Sequence, residues 1–365
     1  MFKFNELNQL HLEITNNCQA SCPMCVRNVH GGLENPLVKI ENWSLERYKT
    51  IVNEEVLKQI RLIQFCGNYG DPLLNNDLLK MMEYTSQVNP NVQIRIHTNG
   101  SMRNKEWWAQ LAKTLPINHS VIFALDGLED THHLYRIGTD FNKIIENAKE
   151  FIANGGTAEW AYLRFKHNEH QVDEAKKLAA ELGFHIFTMK DSARWVLDEK
   201  FPVYDKNKNT THYIEPSQWS QMKFIRREVL ENYKQILEKT EIDCYALKIK
   251  EVYITAQGLV FPCCWLGVIP YQTYDHEHEL VHIRKEILDQ YNRLVESLGG
   301  EDSINAEKKS IKDIINSNEY QTVWNHYWTT DKLITCVRSC GKIPEIISKP
   351  NDQFITNENL SNEPI

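Results

Sequence analysis

Cys18, Cys22 and Cys25 place three of the chain's nine cysteines in the stretch ITNNCQASCPMC, spaced C-x-x-x-C-x-x-C. A second group follows much later: Cys244, the adjacent Cys263 and Cys264, then Cys336 and Cys340 in CVRSC. Cys66 stands alone between the groups. Thiols at this density act as redox staples, as a zinc clamp, or as ligands to an iron-sulfur cluster. The N-terminus MFKFNELNQL has no basic stretch followed by an apolar run, so it does not read as an export signal, and thiols of a cytoplasmic chain stay reduced. Two separated groups then read as two metal centres. For the first group a zinc site would need a fourth ligand, and His11 or His30 is the nearest candidate. Three thiolates alone suit a 4Fe-4S cluster with one iron left without a protein ligand, free to bind another molecule. Spacing leaves both readings open.

Six short apolar runs are predicted as strands: LHLEIT, RLIQFC, VQIRIH, SVIFAL, EWAYLRF and FHIFT. Between them run helical stripes. Leu45, Tyr48, Val52 and Val56 form one after Ser44; Phe141, Ile144, Ile145, Ala148, Phe151 and Ile152 form another; Ala175, Leu178, Ala179 and Leu182 form a third, with Gly183 as its stop. Strands alternating with helices predict a parallel sheet closed toward a barrel, whose ligand site lies at the C-terminal strand ends. The segments there read NNCQASCPMC, GNYGDP, TNG, DG and KHNEH. From Met189 to Asp243 the alternation stops at a polar connector and a helix predicted over SQWSQMKFIRREVLENYKQILEK, after which EVYITAQGLVFPCC reads as a hairpin.

A chain of 365 residues with 42% hydrophobic and 25% charged residues is an ordinary globular composition, and its formal net charge of -8 disfavours a broad phosphate-binding surface. Nucleic acid is therefore not the expected partner. No segment approaches the roughly eighteen apolar residues of a membrane span, and a cytoplasmic location is expected.

A C-x-x-x-C-x-x-C loop directly after the first strand of a parallel barrel resembles the radical S-adenosylmethionine enzymes. Tyr69, Gly70, Asp71 and Pro72 resemble that family's G-G-E-P-like turn, which meets the amino group of S-adenosylmethionine; Asp71 keeps the acceptor charge with a shorter reach. Thr98, Asn99 and Gly100, the run Ala124 to Gly127 with Asp126, and His132 with Arg136 also stand where similar members place such residues. Two departures are Met24, where an aromatic residue is common before the third cysteine, and Ala124, where Ser is frequent. The resemblance implies Cys18, Cys22 and Cys25 as ligands of the S-adenosylmethionine-binding 4Fe-4S cluster. It implies Met24, Gly70, Asp71, Pro72, Asn99, Asp126 and Arg136 at the cofactor. Each fragment alone has a plain reading as a turn or cap; their order along consecutive strands gives them weight.

The pattern C-x13-G-x4-C through Cys244, Gly258 and Cys263, joined to Cys336 and Cys340, resembles the auxiliary-cluster extension called SPASM, or its shorter one-cluster form, twitch. The C-x-x-C-x5-C-x-x-x-C run of the full form is missing, which favours twitch and one auxiliary 4Fe-4S cluster held by Cys244, Cys263, Cys336 and Cys340. A structural zinc on the same four residues is the alternative. Cys264 is either a substitute ligand or a neighbour without a role, and Cys66 either a small core residue or a hydrogen-atom donor facing the site.

The expected fold is α/β: a partial (β/α)6 TIM-like barrel over residues 1–190, a connector and helix over 191–243, a small α+β iron-sulfur extension over 244–348, and a loosely held tail from 349 to 365. The resemblance implies reductive cleavage of S-adenosylmethionine to a 5'-deoxyadenosyl radical that abstracts a substrate hydrogen, driven by an external one-electron reductant. Oxidation, crosslinking or epimerisation of a peptide or protein side chain is the expected outcome; oxidation of a small alcohol or amine, and a non-catalytic iron-sulfur or zinc protein, are the alternatives. A carrier would offer a fourth nearby cysteine, and none precedes Cys66. The chain begins almost at its first strand, so a peptide substrate is expected to need a separate recognition protein or direct capture, with SARWVLDEKFPVY and HYIEPSQW as an aromatic surface or as core. Cys66, Arg164 and Lys166 are the catalytic candidates. Arg136 or Arg164 could pair a carboxylate, and His97, Lys166, His167 and Lys190 stand near strand ends.

Overall fold

A computed structural model describes residues 1–192, 194–195, 200–220, 232–272, 281–342 and 356–360. The six predicted strands are present as β1 (Gln9–Leu12), β2 (Leu62–Phe65), β3 (Gln93–Thr98), β4 (His119–Ala124), β5 (Ala158–Arg164) and β6 (Ile186–Asp191), each parallel to the next. Crossovers between them are α1 (Leu45–Ile51) with α2 (Glu54–Gln59), α3 (Leu78–Val88), α4 (Lys105–Thr114), α5 (Phe141–Ala153) and α6 (Val172–Glu181). The stripe after Ser44 is two helices rather than one. Asn53 breaks it, because its side chain accepts from the Val56 N–H and so starts a new helix at Glu54.

Strand alternation sorts the side chains. Leu10, Leu12, Ile63, Phe65, Ile94, Ile96, Val121, Phe123 and Trp160 are fully buried, forming the core between sheet and helices. Helix α5 meets them with Ile144, Ala148 and Phe151, and Asp140 caps it by accepting from the Lys143 N–H at 3.1 Å. Each large side chain so buried contributes about 1.5–3 kcal/mol. The opposite, concave face is polar. Arg95 on β3 reaches past β4 to Glu159 on β5, Nη2 to Oε2 at 2.8 Å, which is possible only if both project into the lumen.

The C-terminal hairpin is part of this same sheet. Its first strand, β7 (Glu251–Ile254), runs parallel to β1 in the register Gln9↔Glu251 to Leu12↔Ile254, and β8 (Val260–Phe261) pairs antiparallel with β7. The tail expected to be loosely held instead contributes β9 (Thr356–Asn359), antiparallel to β6. An edge strand leaves a row of backbone groups unpaired, and β9 satisfies those of β6. Among the described residues the sheet thus has nine strands in the order β8-β7-β1-β2-β3-β4-β5-β6-β9, a mixed α/β partial barrel with a C-terminal extension.

The extension adds α7 (Val281–Ser297), α8 (Ile311–Asn316), α9 (Asn318–Thr329) and α10 (Ile334–Cys340). Of the helix predicted across the connector, residues 221–231 lie outside the described residues; Tyr233–Lys239 is helical and Ser217–Ser220 is not. Among the described residues no helix is long and apolar enough to cross a membrane.

Glu251, at the start of β7, is desolvated by burial, which pushes its carboxyl from the ordinary 4.5 up to about 7. Between those values the native state holds a proton that the unfolded chain has released, so stability from this group is lost as pH rises through that window. Glu251→Gln is therefore expected to gain about 1–2 kcal/mol over the parent on going from pH 5.5 to pH 8, after allowance for partial exposure. Urea unfolding at the two pH values reads it, and parallel profiles for both proteins would refute it.

Candidate functional site

The C-terminal ends of the parallel strands open onto one cavity of about 360 Å³. Cys18, Cys22 and Cys25 all line it, from the loop after β1. Its walls continue with Cys66 to Asp71 after β2, His97 to Asn99 at the end of β3, Ala124 on β4, Leu163 on β5, Asp191 at the end of β6, and Ser192 and Arg194 after it. Tyr135, Arg136 and, from the extension, Trp265 complete it.

The cysteine loop is anchored by its neighbours. Arg27 Nη1 donates to the Asn16 carbonyl at 2.8 Å, and Arg194 Nη1 donates to the Met24 carbonyl at 2.8 Å. Burial pushes the Cys18 thiol well up and the Cys22 thiol up to about 11, with Arg136 pulling Cys22 back. Arg136 Nη1 lies 3.8 Å from Cys22 Sγ while its Nε donates to Asp126 Oδ2 at 2.5 Å. The other Asp126 oxygen accepts from the Leu163 N–H at 2.7 Å. Asp126 therefore does not reach the cavity; it aims Arg136 at a thiol. His132, kept neutral by burial, which lowers it to about 3, accepts from the Asp126 N–H at its Nδ1 and bonds Thr139 through Nε2.

Asp71 differs from expectation. Its carboxylate accepts from the Leu73 N–H at 3.0 Å, the Thr98 hydroxyl at 2.9 Å, the Asn99 N–H at 2.8 Å and Asn99 Nδ2 at 2.5 Å. With these donors filling its oxygens, Asp71 binds the end of β3 to the turn rather than offering a free acceptor to an ammonium. Asn99 in turn joins the cysteine loop, accepting from Gln19 Nε2 at 2.7 Å and lying 3.8 Å from Cys18 Sγ. Gly70 is required by packing: a Cβ there would stand 1.9 Å from the Thr15 carbonyl oxygen. Pro72 opens a buried 3-10 turn and Met24 packs with Ala20, Tyr135 and Trp195; neither is on the cavity wall.

The catalytic candidates separate. Cys66 is on the wall, its thiol pushed up to about 12 by burial. Arg164 is held by Asp191 through two bonds of 2.8 and 2.9 Å, and Lys166 is exposed in an ion pair with Glu215. His97 lines the cavity, whereas His167 stacks on Phe165 with both ring nitrogens buried and without a hydrogen-bond partner among the described residues. Lys190 lies on β6, its ammonium disfavoured by desolvation. Tyr135, Arg194 and Trp265 line the cavity and Gln19 bonds Asn99 beside it, and none of the four is singled out by the sequence reading.

The later cysteines also converge. Cys244, Cys263, Cys336 and Cys340 surround a second cavity, otherwise lined mostly by apolar side chains such as Pro262, Leu266 and Trp328, and the Cys244 and Cys340 thiols hydrogen-bond each other. Cys336 and Cys340 are one helical turn apart on α10 and so share a face. Cys264 is absent from that wall. Trp265 lines both cavities.

Among the described residues no group of three or more His, Cys, Asp or Glu is arranged to hold a single metal ion. Tetrahedral zinc needs its ligands about 2.3 Å from one point, whereas ligands of a cluster each take a different iron and stand further apart. His11 donates to the Cys66 carbonyl at 2.7 Å and His30 stacks between Phe201 and Tyr204, so neither supplies a fourth zinc ligand beside the first triad. The donor set fits a cluster: three thiols on an open cavity, four on a closed one.

Residues 12–179 match the family model of the Radical SAM superfamily. Members work with a 4Fe-4S cluster and S-adenosylmethionine (AdoMet). No curated protein matches the sequence. Among solved structures, SuiB of Streptococcus suis with bound S-adenosylmethionine is similar at 15% identity and a TM-score of 0.50, over 71% of this chain and 61% of that one. SuiB bound to its precursor peptide SuiA is similar at 15% identity and a TM-score of 0.53, over 87% and 66%. Native anSMEcpe with bound AdoMet is similar at 15% identity and a TM-score of 0.51, over 91% and 88%. At these identities the likeness is one of fold. The chain spans less than two thirds of the SuiB chain in its complex with S-adenosylmethionine.

Asp126 is wholly buried and the Arg136 side chain is 20% exposed. Removing one partner of such a pair strands the other charge, at a cost of about 3–5 kcal/mol, while removing both costs far less. Arg136→Met is expected to destabilise by that amount and Asp126→Asn with Arg136→Met to recover at least half, as read by urea unfolding at pH 7. A double variant no more stable than the single would contradict the pairing.

Proposed function

We propose that this chain is a radical S-adenosylmethionine enzyme acting on a peptide or protein side chain. The observation that carries it is the placing of Cys18, Cys22 and Cys25, without a fourth ligand from His11 or His30, on a cavity formed by the C-terminal strand ends of a parallel barrel. Cys18, Cys22 and Cys25 would hold a 4Fe-4S cluster; Cys244, Cys263, Cys336 and Cys340 would hold an auxiliary one in an apolar pocket suited to a closed site. When bound, the cluster and AdoMet supply an electron and a 5'-deoxyadenosyl radical able to take hydrogen from an unactivated carbon.

The chain's own residues prepare this site. Arg136 places a cation beside Cys22 and favours its thiolate, the ligating form. The Asp71 to Asn99 to Gln19 connection fixes the β2 and β3 loops against the cysteine loop, so that the cofactor wall is set before anything binds. Tyr135, Leu163 and Trp265 give the cavity apolar walls that limit water around a reactive carbon. Cys66 and His97 face the same space and are the residues nearest to a substrate role there.

Two exposed aromatics favour a peptide. Trp219 is 52% exposed, packed over Arg164 at 5.0 Å, and Tyr213 is 53% exposed, whereas Trp195 from the same aromatic region is core. Exposed aromatic rings backed by an arginine suit capture of an extended chain. The cytoplasm, with its reductants, is the compartment this chemistry would need.

Anaerobically reconstituted and reduced protein, given AdoMet and a peptide library, is expected to release 5'-deoxyadenosine, and a Cys18, Cys22, Cys25→Ala variant none. The variant should also lose about half the iron, leaving the auxiliary cluster. A reducible, fully loaded parent that bound AdoMet yet formed no 5'-deoxyadenosine with any substrate class would reject the catalytic reading.

A further inference from the structure

The Gly67–Asp71 turn on the cavity wall is tied at Asp71 to the end of β3 and, through residues 68 to 70, to one buried carboxylate and to the extension. Glu13, just past β1 and 2% exposed, accepts through Oε1 from the Tyr69 N–H at 2.7 Å and the Gly70 N–H at 3.2 Å. Its Oε2 accepts from the Tyr253 hydroxyl on β7 at 2.5 Å. Asn68 Nδ2 donates both to Tyr253 Oη at 3.1 Å and to the Cys264 carbonyl at 2.9 Å. The Tyr69 hydroxyl donates to the Val268 carbonyl at 2.6 Å. Three consecutive turn residues, 68 to 70, are thus tied to β7 or to the segment Cys263–Val268, directly or through Glu13.

That segment begins with Cys263, which lines the second cavity, and includes Trp265, which lines both. Space enforces the same contact. A Cβ at Gly67 would stand 2.6 Å from Glu13 Oε1, and one at Gly267 would stand 2.3 Å from the Tyr253 ring. The carboxylate, the turn and the helical turn after Cys263 (Cys264–Gly267) are therefore packed without slack.

We infer that Glu13 and the Tyr69–Val268 bond are positioning contacts that make AdoMet binding in the first cavity depend on the ligated state of Cys263 in the second. The inference rests on the proposed radical reading. A segment fixed at Cys263 by a filled second site holds the carbonyls of Cys264 and Val268 where Asn68 and Tyr69 need them; with that site empty the turn loses its outer support. Glu13 carries the same constraint through Tyr253 to the Tyr69 and Gly70 amides. The coupling is one of position, with no electron or proton exchanged between the sites.

Isothermal titration of AdoMet into anaerobic, oxidised, reconstituted protein tests this without turnover. The variants are Tyr69→Phe, which removes only the hydroxyl; Glu13→Gln, which keeps the shape; and Cys336→Ala with Cys340→Ala, which empties the second site. Iron content and the visible absorption of the remaining cluster are read beside each. The expected result is about tenfold weaker AdoMet binding in Tyr69→Phe and in Glu13→Gln at unchanged iron content. Similar weakening is expected in the cysteine double variant at about half the iron, and the cysteine changes combined with Tyr69→Phe should weaken binding by much less than the product of the separate effects. Parent-like affinity in both Tyr69→Phe and Glu13→Gln, or fully multiplicative losses in the combination, would overturn the coupling while leaving the radical reading intact. Failure of the cluster-loaded parent to bind AdoMet at all would overturn that reading, and the coupling with it.

Discussion

Parallel pairing on both sides of β1 is the constraint on which the rest of the molecule depends. β1 lies between β2 and β7, in register with each across all four residues, and its Leu10 and Leu12 are completely buried. A strand so enclosed has no freedom of register, because a slip by one residue would turn both leucines into the lumen. The loop that leaves it must start at a fixed point, and that loop holds Cys18, Cys22 and Cys25. Every later strand of the barrel then delivers its own C-terminal end to the same side.

A polar lumen follows from that arrangement and shapes what the site can do. The apolar strand residues are used against the helices, so the inward positions carry His97, Arg95, Glu159 and Cys66. Arg95 and Glu159 neutralise one another across β4, while burial lowers His97 to about 3 and holds it uncharged. The wall beside the cysteine loop carries Arg136 and Arg194. Arg136 favours the Cys22 thiolate against the burial that opposes it, burial and Asp71 push the Cys18 thiol up, and Asp126 pins Arg136 in place. Asp71, Asp126 and Asp191 share one pattern: a carboxylate at a strand end that organises the neighbouring loop or arginine.

Much of this was legible because it is local. The six strands and the α5 and α6 stripes carry their periodicity in consecutive residues, and the cysteine spacing is compact enough to be read directly. Parallel β7 was not legible. EVYITAQGLVFPCC reads as a hairpin from its own turn, but nothing in it says that Glu251–Ile254 would lie beside Gln9–Leu12, some 240 residues earlier. The same holds for Thr356–Asn359, polar throughout, whose strand form depends on the free edge of β6. Asp71 illustrates a different limit. Its residue type suggested a free acceptor, yet Thr98 and Asn99, near in space through β2–β3 pairing, supply the donors that occupy it.

Joining the extension to the barrel through β1 also decides how the two cysteine groups can communicate. Had the extension been attached only by its connector, its cavity and the first would be free to shift against each other. Instead the ladder Gln9↔Glu251 to Leu12↔Ile254 ends at the level where Glu13 and Tyr253 meet, and the chain continues from there into both cysteine loops. Glu13 is five residues before Cys18, and Tyr253 is ten before Cys263. A carboxylate buried at that junction costs desolvation, which pushes it up to about 7, and it is tolerated because three donors from two elements converge on it. Such a group has little value as a stabiliser compared with an apolar side chain of the same volume. Its value lies in direction: two amides and one hydroxyl can satisfy one carboxylate only when the β2 turn, β1 and β7 hold a single relative placement.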